Sequence, residues 1–157
     1  MREGEAMSEL QVLKDAVSAN MGRLLHGSLS DAEDAVDAVM SIVDGPALYG
    51  TFCGLLATVA GDALKATRAS FPPGPARDAP FGMLADPGMD LPSRTAAQMI
   101  TAAANDDQQM VLALLRAAIS WEAVDPMAKL VARLSVHARV MHQAVCDDVT
   151  ADGEGGA

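Results

Sequence analysis

The residues of this chain best suited to hold a metal or move a proton gather near its end: His137, Met141, His142, Cys146, Asp147 and Asp148. His142 and Cys146 are four apart, so on a helix they share a face and could share a cation such as zinc. His137 falls on the other flank of that helix, so a third ligand would have to come from His26. A zinc site takes three or four convergent ligands, and there is neither an HExxH nor a paired CxxC to supply them. No metal is therefore expected; His142, Cys146 and His137 are the candidates if one binds.

Other chemistry has less to stand on. The chain contains no GxSxG, no phosphate-cradling glycine loop and no GxGxxG after a strand. Its acidic pairs, Asp106–Asp107 and Asp147–Asp148, are expected at a helix cap and in a tail. Carboxylates in such exposed places keep ordinary acidity and are poor general acids or bases. The expectation is a protein that is not an enzyme, with no catalytic residue and no cofactor.

The elements that would position these residues are helices. Apolar residues recur at helical spacing from Leu10 to Leu24, from Ala32 to Val43, from Ala96 to Ala103, from Met110 to Ala118 and from Met127 to Val145. Start signals precede them: capping boxes at Ser8/Gln11, Ser30/Glu33 and Asn105/Gln108, and Asp125–Pro126 before the last helix. The second helix turns Asp31, Asp34 and Asp37 outward, an ordinary solvated face. Only five side chains are aromatic, while ten methionines and many alanines fill the apolar half of the composition. Small, flexible side chains favour close helix packing over sheets. The fold class expected is all-α: a compact orthogonal or antiparallel bundle of five or six helices. Two packed αα-hairpins plus an N-terminal helix would satisfy the pattern. One helical domain is expected over 8–146, with a disordered N-terminus at 1–7 and a disordered acidic tail at 147–157. At 157 residues such a domain buries roughly 70% of the surface its unfolded chain exposes.

The third helix, expected over 46–68, carries the longest uncharged run, 17 residues between Asp44 and Asp62. A membrane span needs about 20 apolar residues and basic flanks. This run has acidic flanks and Pro46 near its start, so it reads as the central core helix. Gly50, Gly54, Ala57 and Gly61 share one face of it. Each glycine costs roughly 1 kcal/mol of helix propensity against alanine. The stripe is therefore expected to admit another helix backbone at close range.

Between Phe71 and Pro92 lie six of the eight prolines, a density read as excluding helix. This 71–92 crossover carries Phe81, Met83 and Leu84 as anchors, either packed over the core or offered to a partner. The last helix adds a second surface. Val136 and Val140 lie away from its main apolar stripe, beside Lys129 and Arg133, and two aliphatics next to a basic edge mark a contact face.

A formal charge of −10 removes the basic footprint that nucleic acid or an anionic membrane requires. Two cysteines 93 positions apart make no disulfide framework, and the N-terminus is acidic rather than signal-like, so a cytoplasmic protein is expected. The function expected is that of an accessory or regulatory partner acting through protein–protein contacts, as a homodimer or with a protein not identified by the sequence. The alternative is a small-ligand- or metal-binding helical protein with its site between helix 46–68 and helix 126–146.

Overall fold

The computed structural model describes residues 2–82, 88–121 and 124–155. The fold is all-α. The helices are α1 (Arg2–His26), α2 (Leu29–Met40), α3 (Pro46–Ala69), α4 (Pro75–Asp78), α5 (Leu91–Ala104), α6 (Gln108–Ile119) and α7 (Val124–Gly155). The chain divides into two compact units, Met1–Phe52 and Cys53–Ala157, with the boundary inside α3. The terminal helices are longer than their apolar patterns. α1 starts at Arg2, so Ser8 lies inside it and caps nothing, and α7 runs on past 146 to Gly155.

In the first unit α1 packs on α2. Leu13, Val17, Leu24 and Leu25 of α1 and Ala35 and Val39 of α2 are buried. The Gly27 amide donates to the Arg23 carbonyl at 3.1 Å and closes α1. Ser28, not Ser30, then caps α2: its hydroxyl accepts from the Asp31 amide at 3.1 Å and Asp31 accepts from the Ser28 amide at 3.0 Å. Both serines fit the sequence pattern, and the early stop of α1 at Gly27 selects the first. Arg23 of α1 approaches Asp34 of α2 at 3.8 Å, so part of the acidic face is answered inside the unit. The gap beneath these residues holds about 10 Å³, at the lower limit for one water. Gly45, at φ 103°, turns the chain into α3 in a conformation that side chains resist.

In the second unit α5 packs against both α6 and α7. Asp90 caps α5, its carboxylate accepting from the Ser93 amide at 3.0 Å, and Pro92 sits in the first turn where no amide is missed. The helix therefore begins at Leu91, more than a turn before the apolar pattern starts at Ala96. The proline-dense crossover also holds one helical turn, α4, because Pro75 at its first position has the φ a helix needs.

The stripe on α3 meets α5 at one point. A Cβ on Gly61 would lie 2.9 Å from Ala103 Cβ and 2.9 Å from the Ala104 nitrogen, so only glycine fits there. Gly54 is looser: its Cβ would meet Leu115 Cδ1 at 3.7 Å, an ordinary contact. Gly50 and Ala57 are buried. α3 is not buried all round, however, since Thr58 is exposed and Leu55 and Val59 are half-buried. Thr58 returns its hydroxyl to the Gly54 carbonyl at 2.8 Å. Among the described residues α3 is the one helix long and apolar enough to cross a membrane, and 56% of that apolar window is buried within the protein.

Candidate functional site

Two places in the second unit concentrate polar and exposed apolar groups. One is the turn between α5 and α6. Asn105 ends α5, Asp106 takes a left-handed conformation at φ 59°, and Asp107 caps α6. The Asp107 amide donates to the Ala102 carbonyl at 2.8 Å and the Asp106 amide to the Ala103 carbonyl at 3.1 Å. These two bonds make a Schellman stop, a place where glycine is usual and aspartate is tolerated. The capping box expected at Asn105 and Gln108 is thus displaced, with Asp107 accepting from the Met110 amide at 3.1 Å.

Asn105 is occupied otherwise. Its side-chain oxygen accepts from the Phe81 amide at 2.8 Å, and its side-chain nitrogen donates to the Phe81 carbonyl at 3.0 Å. One amide side chain so imitates a neighbouring strand and holds the crossover. Arg68, from the last turn of α3, lays its guanidinium 3.5 Å from the centroid of the Phe81 ring and donates to the Ala79 carbonyl. Lys65, one turn earlier, pairs with Asp106 and lies 4.0 Å from Asp62. Hydrogen bonding to Asp106 is the main reason its ammonium holds its proton more firmly than usual.

An open, shallow cleft of about 670 Å³ lies over this turn. Its described lining brings Asp78, Asp106 and Asp107 together with Arg68, and offers no histidine, cysteine or hydroxyl. Phe81 is accordingly a docked anchor of the crossover. Met83 and Leu84, the other two residues expected to bind a partner, lie outside the described residues. The roles of Arg68 and Asn105 leave no local mark in the sequence. Their partners are 11 and 24 residues away, beyond any local pattern.

The second place is the outer side of α7. Leu130, Val131, Leu134 and Ala138 are buried, while Val136 and Val140 are 52% and 58% exposed. Lys129 and Arg133 are exposed as well. They lie near Asp90, whose carboxyl is held below its usual range first by hydrogen bonds from Ser93 and then by these two positive charges. His137 is half-buried. Burial, and then the charge of Arg133, make its ring harder to protonate.

Of the metal candidates, Cys146 Sγ and His142 Nε2 stand 3.5 Å apart on adjacent turns. His137 is about 140° around the helix from His142, taking 100° per residue, so the same ion is out of its reach. Cys53 is buried, and neither it nor Cys146 is joined in a disulfide.

Comparison with models of known families, with curated proteins and with solved structures found no match.

Proposed function

We propose that this protein acts without catalysis, as a cytoplasmic accessory or regulatory partner that works through protein–protein contacts. One observation carries the reading: Val136 and Val140 stand exposed one turn apart on α7, opposite its buried side and beside exposed charges. Single exposed aliphatics are common, whereas two on one ridge with a charged margin fit a contact surface. Two cysteines outside any disulfide agree with a reducing compartment. The test is affinity capture from the native host, comparing the wild-type chain with a Val136→Lys, Val140→Lys variant by quantitative mass spectrometry. A protein held by the wild type and lost from the variant is expected. Identical captures by both would overturn the reading.

The alternative, a metal-binding protein, rests on the approach of Cys146 to His142. It requires purified protein to carry zinc near one equivalent and to lose it in a His142→Ala variant. Trace metal, with no thermal shift on adding zinc, would remove it.

A further inference from the structure

The outer face of α7 has an ordered arrangement of charged and aliphatic side chains along its length. Taking 100° per residue, Lys129, Arg133, Val136, Val140, Gln143 and Asp147 all fall within about 40° of one line along the helix. That line runs opposite the buried Val131, Leu134 and Ala138. Five of the six are exposed and Gln143 is half-buried. The stripe is about 27 Å long at 1.5 Å per residue. It carries Lys129 and Arg133 in its N-terminal half, with Asp125 at the margin one turn before them, the two valines in the middle and Asp147 at its C-terminal end.

The positions are symmetric about residue 138. Lys129 and Asp147 are equally far from it, as are Arg133 and Gln143, and Val136 and Val140. A two-fold axis at that point brings each position opposite its mirror position on a second copy.

We propose that the partner of this face is a second copy of the chain, with the two α7 helices antiparallel and crossing near residue 138. Val136 of each chain then packs on Val140 of the other. Lys129 of each pairs with Asp147 of the other, and Arg133 meets Gln143. A parallel arrangement sets Lys129 against Lys129, Arg133 against Arg133 and Asp147 against Asp147, so the charges select the antiparallel one. Asp90 and Asp125 answer Lys129 and Arg133 in part from within the chain, and both basic side chains stay exposed to meet a second copy. A single helical stripe covers less than the roughly 800 Å² per partner of a stable dimer, which makes the association weak and concentration-dependent. The proposal rests on the contact-face reading above and adds the identity and register of the partner.

Sedimentation equilibrium of the full chain, from roughly ten to several hundred micromolar, tests it. Wild type is expected to shift from monomer toward dimer across that range. Lys129→Glu alone sets a new carboxylate against Asp147 at both ends, and Asp147→Lys alone sets two ammonium groups together there, so each weakens self-association roughly tenfold. Mixing these two single variants restores association as a heterodimer, because both end pairs then join opposite charges. The double variant, with both changes in one chain, restores the homodimer. Single variants that dimerise like wild type, or a mixture that fails to associate, overturn the antiparallel register. A wild type monomeric throughout overturns the second copy as partner. The capture experiment then stands separately, since a protein lost on Val136→Lys, Val140→Lys would keep the contact face.

Discussion

The turn after α5 and the outer side of α7 hold similar residue types and use them in opposite directions. Around Phe81 the chemistry faces inward: Asn105 takes both backbone groups of Phe81, Arg68 covers its ring, and Lys65 is joined to Asp106. On α7, Lys129, Arg133 and Val136 are set out along a face that water reaches. Composition alone does not separate the two regions; the separation comes from how far the complement is supplied by the same chain. A charged or amphipathic cluster that finds its complement at home is a fastening. One answered only in part at home, as Lys129 and Arg133 are by Asp90, leaves its charges and valines open to water.

The strongest way to break this contrast is at the inward region's foundation, where α3 meets α5. Gly61→Leu is expected to cost about 3 kcal/mol or more, because its Cβ alone already meets Ala103 and backbone of α5. Gly61→Ala should cost about 1–2 kcal/mol, overpacking being partly offset by helix propensity. Urea denaturation checks both, and an alanine variant as stable as wild type would mean the seam is not close-packed. Next comes the fastening itself. Asn105→Ala should lose about 1–2 kcal/mol and, more specifically, should open the Phe81 amide to hydrogen exchange while α5 stays protected.

A pH titration sharpens the contrast from the other side. His137 binds its proton less readily when folded than its ordinary value of 6.5. The unfolded chain therefore takes up more protons, and stability present above about pH 6.5 declines as the pH falls toward the lower folded value. His137→Gln should flatten that part of the profile, and an unchanged slope would place its origin elsewhere. Gly54→Ala is expected to be neutral or to gain up to about 1 kcal/mol, since Leu115 leaves it room. Smallest of all should be Val136→Lys with Val140→Lys, within about 0.5 kcal/mol of wild type in a dilute melt. A variant that unfolds would put the valines among the groups the fold depends on.

The helices were legible in the sequence because burial on one side repeats every 3.6 residues, and the stretch from Leu130 to Ala138 shows it. Their starts were less so. Ser28 and Ser30, or Asn105 and Asp107, are equally good caps by type, and the choice was made by where the previous helix stopped and by Phe81. Gly50, Gly54 and Gly61 stand on one stripe, yet only the point where α5 crosses turns a glycine into a requirement. Val136 and Val140 could be placed off the buried stripe from the helical period alone. The crossover could not be read, because its fastening joins residues far apart in the chain, and the prolines that argued against helix also start α4.

The contact of Gly61 with Ala103 and Ala104 has one more consequence. None of the three side chains has a rotamer to lose, so bringing α3 and α5 together there sacrifices no side-chain entropy, against roughly 1.5–2 kcal/mol for ordering a lysine or methionine. The same property removes any means of adjustment. A methionine contact can absorb an added methyl by turning about its χ angles, whereas this seam can answer only by moving whole helices. It is therefore inexpensive to order and intolerant of change, a rigid base against which the ends of α3 and α5 are held in fixed register.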